Sequence, residues 1–269
     1  MLYPIRKLIF KLSYLKLNFL NNLFVLFHNI FNSNLKIIKY EVLLKKIFLL
    51  SNHQINLLKD EIIEDNEMNQ LFKNLNNSYY KKIIEQSHLI FLYIFLRSLK
   101  PKIILTTGVA TGFQEAIILS ALYRNNLGKL LSIDLPGKKN LLTFNQDIPE
   151  NNIGSYIPEK YKINWKLIVG DAREEIGKIF ANNSIDVFIH DSNHTVSHMI
   201  FEYSIARIFM KESAYVFSDD ILIFNNAFCN FLKINNLTGY ALYPKLNYGF
   251  FKNCKTEFEK KNSVDTYFK

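Results

Sequence analysis

The sequence predicts a doubly wound α/β fold with a mostly parallel sheet, and three observations support this prediction. From about residue 100 onward, short apolar runs alternate with segments of helical apolar periodicity, which is typical of βαβ units. All nine glycines lie between Gly108 and Gly249, so the turns are concentrated in that part of the chain. Of the 269 residues, 49% are apolar, which supplies a sizeable core and excludes disordered or collagen-like classes.

The first part of the chain favours helices instead. Only Pro4 and Pro101 interrupt the first 107 residues, and this segment is rich in Leu, Ile, Phe and Lys. We therefore predict an N-terminal helical arm over residues 1–78 and a second domain over residues 79–269. A helix over residues 79–99 should open that domain, with Ser78 as its N-cap and Pro101 as its stop.

Charge is concentrated in the arm, because residues 1–58 carry eight cations and only one anion. The rest of the chain is nearly neutral, although the net charge is +9, and this argues against a nucleic-acid partner. The arm is either an interfacial or dimerisation helix or a helical cap packed on its own domain. The uncharged window Leu17–Leu35 is too polar to span a membrane, and no signal peptide is evident.

Two cysteines are too few for a disulfide framework, so a reducing compartment is expected. We accordingly expect a cytoplasmic protein. The arm would give it either peripheral contact with the inner face of the membrane or homo-oligomerisation.

The alternating pattern predicts individual elements. Strands are expected over residues 103–107, 130–134, 165–169, 185–190 and 214–218. Helices are expected over residues 114–125, directly after Asp171, and over residues 196–210. Residues 238–243 and 249–252 predict a terminal hairpin, which would add an antiparallel edge to the sheet.

Acidic residues follow these strands. In such a sheet, ligands bind at the carboxyl ends of the strands, near the topological switch point. The first strand runs into T-T-G-V-A-T-G, whose glycines allow a tight turn and a close approach to a ligand. Asp134 ends the second strand, where an acid can accept hydrogen bonds from both hydroxyls of a ribose. The carboxylates at the strand ends are Asp134, Asp171, Asp191, Asp219 and Asp220.

Taken together, these motifs resemble the class I S-adenosylmethionine-dependent methyltransferases, over residues 100–231. More narrowly, they resemble the family of macrocin-type O-methyltransferases and cephalosporin-hydroxylase-like proteins, which have a Rossmann-like fold. The matching pieces are T-G-V-A-T-G, L-S-I-D-L-P, W-K-L-I-V-G-D-A-R, I-D-V-F-I-H-D-S-N-H-T and F-S-D-D, in that order along the chain.

The resemblance implies roles for the strand-end residues. Gly108 and Gly112 would flank the methionine part of S-adenosylmethionine, Asp134 would hold its ribose, and Asp171 would lie near the adenine. The family usually has a cofactor-orienting acid where Thr106 stands here, and small hydroxyl residues where Gln114 and Glu115 stand.

The resemblance also implies a divalent metal, usually magnesium, held by Asp191, Asp219 and Asp220, with Asp191 also beside the cofactor. Three converging carboxylates would repel one another unless a cation or protons intervened, and hard oxygen ligands suit magnesium. His194 is a candidate general base, with Asp191 as the alternative, because the pKa of histidine lies near neutrality. His194 could instead be an ordinary residue at a helix N-terminus.

A second metal hypothesis, zinc bound by His194, His198 and Glu202 at helical spacing, lacks an evident open fourth ligand.

The resulting prediction is metal-assisted methyl transfer from S-adenosylmethionine to a hydroxyl of a small polyhydroxy, sugar-like acceptor. The acceptor class rests on the resemblance alone. Two alternatives stay open. One is a non-catalytic S-adenosylmethionine-binding scaffold, favoured by Thr106. The other is a nucleic-acid methyltransferase, favoured by the net charge but not by the nearly neutral domain.

Overall fold

The computed structural model describes residues 34–74, 88–136, 149–179, 184–222, 226–243 and 246–254. Eight strands in these ranges form one sheet, in the order β1-β7-β8-β6-β5-β2-β3-β4. The strands are β1 (Leu35–Lys39), β2 (Ile103–Thr107), β3 (Lys129–Asp134), β4 (Trp165–Val169), β5 (Ile185–His190), β6 (Met210–Ser218), β7 (Gly239–Tyr243) and β8 (Gly249–Lys252). The helices are α1 (Tyr40–Phe48), α2 (Asn52–Ile63), α3 (Asn66–Asn74), α4 (His88–Leu99), α5 (Phe113–Asn125), α6 (Ala172–Ile179), α7 (Val196–Phe209) and α8 (Ala227–Ile234).

The doubly wound prediction is confirmed. Strands β2, β3 and β4 are parallel neighbours in chain order, and the chain then returns to place β5 on the other side of β2. The strand order therefore reverses between β2 and β5, which makes their carboxyl ends the topological switch point. Strand β6 continues the parallel part beyond β5.

The terminal hairpin is confirmed as well. Strands β7 and β8 pair antiparallel, and β8 also pairs antiparallel with β6. The hairpin therefore extends the sheet on the side away from β4, and the segment just before β8 comes close to the end of β6.

Both faces of the sheet are covered by helices. Helices α1 to α5 pack with Ile104 and Val187 in one core, whereas α6, α7 and α8 pack with Leu105 and Phe188 in another. Consecutive strand residues thus point to opposite cores, which explains the uninterrupted apolar runs Ile103–Leu105 and Val187–Ile189 in the central strands.

The described part of the arm contains one element that the sequence analysis missed. Helices α1, α2 and α3 agree with the helical prediction, but residues 35–39 form β1, which pairs in parallel with β7. The helical prediction is wrong there because the exposed edge of β7 offers backbone partners, and local propensity yields to such pairing. Ser78 and the first part of the predicted 79–99 helix lie outside the described residues.

The described arm also packs on the sheet-bearing part of the chain. Leu43 and Leu44 of α1 are buried in the first core, and Glu61 of α2 forms an ion pair of 2.6 Å with Arg97 of α4. These contacts match the helical-cap interpretation for residues 35–74. None of the helices in the described ranges is long and apolar enough to cross a membrane.

Candidate active site

The acidic residues singled out in the sequence lie at one edge of the sheet. Asp134 ends β3, Asp171 follows β4, Asp191 follows β5, and Asp219 and Asp220 follow β6. Because β3, β4, β5 and β6 run in the same direction, their carboxyl ends share that edge. The predicted placement is therefore observed, while the ligand that each residue binds stays a prediction.

The glycine turn after β2 packs tightly against the end of β5. Gly108 has a φ of +81°, and a Cβ there would lie 2.1 Å from the carbonyl oxygen of Asp191. The Asp191 N–H in turn donates to the Thr107 carbonyl at 2.9 Å. Gly112 has a φ of +82°, and a Cβ there would lie 2.7 Å from the Cα of Gly154. Backbone packing thus requires both glycines at the switch point.

Asp134 holds this turn through one carboxylate oxygen. Its Oδ2 accepts hydrogen bonds from the backbone N–H groups of Val109 at 2.9 Å and Ala110 at 2.8 Å. Both bonds fall on Oδ2 and neither on Oδ1, and the side chain is partly exposed. The residue therefore fixes the turn and still has the acceptor capacity that a ribose hydroxyl requires.

Thr106 lies within the core. It is fully buried, and its hydroxyl donates to the Ser132 hydroxyl at 2.8 Å, which also accepts from the Trp165 indole at 2.9 Å. The side chain of Glu115 also lies near Thr106, and burial raises the pKa of this carboxyl to about 8. An acid is thus present beside Thr106, but it comes from α5.

The side chain of Asp171 interacts with a residue close to it in the sequence. Its carboxylate accepts from the backbone and the guanidinium of Arg173, and this neighbour holds the pKa of Asp171 below its usual range. Asp171 stands directly before α6, where an acid is favoured by the helix dipole. Its proximity to an adenine stays a prediction.

His194 lies between two carboxylates at the rim of the site, which is the edge of the sheet where the parallel strands end. Its Nδ1 is 3.4 Å from Asp220 Oδ2, and its Nε2 is 3.8 Å from Asp191 Oδ1. Burial, helped by the nearby His190, lowers the pKa of His194, while Asp220 and Asp219 oppose that shift. The side chain of Asp220 also accepts a hydrogen bond from Asn247, in the segment before β8.

The predicted metal ligands do not form a ready metal site. Among the residues that the structure describes, no group of three or more His, Cys, Asp or Glu side chains is arranged to hold a metal ion. One oxygen of the Asp191 carboxylate and one of the Asp220 carboxylate lie 3.8 and 3.4 Å from the two imidazole nitrogens of His194. A magnesium site held by Asp191, Asp219 and Asp220 therefore stays a prediction.

The zinc hypothesis is wrong for the described residues, because Glu202 is used in another way. Its buried carboxylate accepts hydrogen bonds at 2.6 to 2.8 Å from Thr107, His190, Ser192 and His198. Burial alone would raise the pKa of Glu202, but the bonds from His190 and His198 outweigh it and hold the pKa at about 2. The sequence analysis missed this centre, which ties α7 to the ends of β2 and β5.

A comparison with protein families identifies the class of protein to which the site region is similar. Residues 105–221 match the family described as "Methyltransferase domain". Over these residues the chain is therefore a methyltransferase domain. The match begins within β2 and ends just after Asp220, so it contains the glycine turn and every strand-end acid named above.

Solved structures to which the chain is similar include O-methyltransferases. The O-methyltransferase TomG from Streptomyces achromogenes, involved in tomaymycin synthesis and solved with S-adenosylmethionine, is 11% identical; the match covers 80% of this chain and 95% of that one, with a TM-score of 0.49. An O-methyltransferase from Bacillus cereus, solved with S-adenosylhomocysteine, is 12% identical. The match covers 78% of this chain and 93% of that one, with a TM-score of 0.45. No curated protein matches the chain.

Proposed function

We propose that the chain transfers the methyl group of S-adenosylmethionine to a hydroxyl of a small polyhydroxy acceptor, with His194 as general base. The observation that carries this proposal is the position of His194 at the strand-end rim, between Asp191 and Asp220. The rim adjoins the switch point of the methyltransferase domain, where this fold class binds its ligands. S-adenosylmethionine supplies an electrophilic methyl group when bound.

The surroundings of His194 suit a base. Because burial lowers the pKa of His194 from its usual value, the neutral imidazole is favoured, and this form can accept a proton. The flanking carboxylates of Asp191 and Asp220 would stabilise the imidazolium that forms. The acceptor hydroxyl would thereby lose its proton as its oxygen takes the methyl group.

The residues proposed to bind the cofactor lie at the same rim. Asp134 can accept from a ribose hydroxyl while it holds the glycine turn. Asp171 and Asp191 would lie beside the adenine and the donor, as the resemblance to the family implies. The sugar-like character of the acceptor also rests on that resemblance. Rim carboxylates and a neutral imidazole are acceptors of the kind that hydroxyl groups bind.

A turnover assay tests the proposal. The protein is incubated with S-adenosylmethionine and a panel of sugars and other polyols, and S-adenosylhomocysteine is measured. His194→Ala should slow transfer by about 10²- to 10⁴-fold without weakening cofactor binding. His53→Ala, an exposed histidine on α2, is the matched control and should retain the rate.

The opposite outcomes are equally informative. If His194→Ala keeps most of the rate, His194 is not the base and Asp191 becomes the candidate. If no acceptor supports turnover but S-adenosylmethionine still binds, the chain is a non-catalytic binding protein.

Metal assistance is a separate proposal, supported by the carboxylates of Asp191, Asp219 and Asp220 at neighbouring strand ends. If magnesium assists, excess chelator should abolish transfer and added magnesium or manganese should restore it, but not in Asp219→Asn. Full activity in excess chelator would show that transfer needs no metal, and His194 would then act as the base without one.

The partner of the arm also stays a proposal. Homo-oligomerisation predicts a mass above one chain in light scattering. Peripheral membrane contact predicts co-sedimentation with anionic vesicles that salt reverses.

A further inference from the structure

Asn247, in the segment before β8, forms hydrogen bonds with three consecutive residues that follow β6. Its backbone carbonyl accepts from the N–H of Ile221 at 3.1 Å, and its side-chain Oδ1 accepts from the N–H of Leu222 at 3.0 Å. Its Nδ2 donates to Oδ1 of Asp220. Through Asn247, the terminal hairpin is therefore attached to the rim of the site.

The orientation of the Asn247 amide follows from these bonds. A backbone N–H can only donate, so the atom that faces the N–H of Leu222 is the amide oxygen, and the amide nitrogen faces Asp220. A hydrogen bond to a carboxylate is stronger than one between neutral groups. The side chain of Asn247 is also buried, so water cannot readily take the place of this donor.

The backbone of Asp220 depends on the contacts around it. Its φ is +52°, in the left-handed region that residues other than glycine seldom adopt, and such a conformation persists where the surrounding structure holds it. The residue after Asn247 anchors the segment further, because the buried ring of Tyr248 stacks on Phe217 of β6 with ring centroids 6.0 Å apart. The hairpin thus holds Asp220 in place.

The two oxygens of the Asp220 carboxylate have different neighbours. Oδ1 accepts from Asn247, and Oδ2 lies 3.4 Å from Nδ1 of His194. Because a carboxylate is planar and rigid, a bond that holds Oδ1 also restricts the position of Oδ2. An acceptor beside Nδ1 favours the imidazole tautomer with its proton on Nδ1, and in that tautomer Nε2 has the lone pair that takes a proton.

We propose that Asn247 is a positioning residue for methyl transfer, because it orients Asp220 and, through Asp220, the base His194. Asn247 acts through the carboxylate and requires no contact with the cofactor or the acceptor. This inference rests on the proposed function, because it takes His194 as the base.

A variant of the same shape separates this role from packing. Asn247→Asp keeps an oxygen that accepts from Leu222, but it places an acceptor where the donor to Asp220 stands. With an acceptor substrate found in the turnover assay, the variant should lower kcat about ten- to a hundredfold, because the base is misplaced. The KM for the acceptor and the Kd for S-adenosylmethionine should stay within about twofold of the wild-type values.

Asn253→Asp is the matched control. Asn253, directly after β8, is fully buried, accepts from Nε of Arg207 and donates to the carbonyl of Lys211, both at 2.9 Å. The same substitution there also removes a buried donor, but neither partner lies at the rim. Its kcat should therefore stay within about twofold of the wild-type value, even if the free energy of unfolding falls. Should Asn247→Asp fail to fold, Asn247→Ala and Asn253→Ala replace the pair.

A second readout needs no acceptor substrate. Nitrogen-15 NMR of histidine-labelled protein at mildly alkaline pH distinguishes the two imidazole tautomers, and the signals of His194 are those missing from His194→Ala. The wild type should show the tautomer with the proton on Nδ1. Asn247→Asp should shift His194 towards the Nε2–H tautomer, whereas Asn253→Asp should not.

The outcomes separate this inference from the proposed function. If no acceptor supports turnover but the tautomer of His194 depends on Asn247, the proposed function fails and the orientation of His194 by Asn247 is supported. If transfer occurs and Asn247→Asp keeps both the wild-type kcat and the wild-type tautomer, this inference alone is overturned. Equal losses of kcat in Asn247→Asp and Asn253→Asp would also overturn it, because they would indicate a loss of packing.

Discussion

At the carboxyl end of β3, Asp134 holds the glycine turn, and we propose that the same side chain binds the ribose of the cofactor. Its Oδ2 fixes the backbone of Val109 and Ala110, and the partly exposed carboxylate adjoins the switch point. A carboxylate that is already oriented by two backbone donors loses little further freedom when a ribose binds, so the cost of ordering it is met during folding.

Replacement of Asp134 by alanine should weaken S-adenosylmethionine binding. Loss of charge-assisted bonds to the ribose is expected to cost about 1.5–3 kcal/mol, which is roughly ten- to a hundredfold in the dissociation constant. Titration calorimetry measures this, with Asp60→Ala, an exposed acid on α2, as the control. An unchanged dissociation constant for Asp134→Ala would remove Asp134 from the site.

At the residue scale, the positions of strand-end residues could be predicted from the sequence where the signal is local. Asp134 and Gly108 follow directly from a strand that the apolar pattern identifies. The role of Glu202 could not be found in this way, because its partner Thr107 lies 95 positions away in the sequence. His198 and Glu202 have the spacing of metal ligands, yet the same spacing also suits the direct hydrogen bond that forms.

Among the elements, the central strands were predicted well and β1 was missed. Strands β2, β4, β5 and β8 have the predicted bounds, and in the buried central strands β2 and β5 burial on both faces leaves an uninterrupted apolar run. In β1, only Leu35 is buried, and the two lysines enclose a pair of isoleucines rather than alternating with apolar residues. Its strand conformation depends on β7, a partner that no local pattern reveals.

The packing of α1 gives a prediction for the arm. Leu44 is fully buried in the first core, whereas Val42 on the same helix is 50% exposed. Leu44→Ala should lower the free energy of unfolding by about 2–5 kcal/mol, and Val42→Ala should change it by about 0.5 kcal/mol or less. Urea denaturation measures both. Equal, small effects would show that the arm contributes little to the core.

Truncation of the chain also tests whether the arm contributes to the core. Deletion of residues 1–58 removes β1, α1 and the buried residues Leu43, Leu44 and Ile55. The shortened protein should therefore unfold or aggregate. A folded, monomeric fragment would instead support an arm that is separate from the core.

For the molecule as a whole, Glu202 should set part of the acid stability. Its pKa in the folded protein is about 2, against 4.5 for an unperturbed group, so the folded state favours the ionised form. This contribution, roughly 2–4 kcal/mol, is fully present above pH 4.5 and is lost as the pH falls towards 2.

Glu202→Gln should therefore lower the free energy of unfolding at pH 7 and flatten its fall between pH 5 and 2. Chemical denaturation across that pH range measures the effect, with Glu64→Gln, an exposed carboxyl, as the control. Parallel curves for wild type and Glu202→Gln would show that the hydrogen bonds to Glu202 contribute nothing to acid stability.

The pairing of β1 with β7 has a consequence for the order of events during synthesis. Leu35 leaves the ribosome early, but its partner Gly239 emerges only near the end of the described chain. Helices α1 to α3 can form at once, whereas β1 must wait for almost the whole sheet, and such distant pairing slows folding. Until then β1 exposes unpaired backbone groups to other nascent chains, and its lysines at positions 36 and 39 would discourage aggregation during that interval.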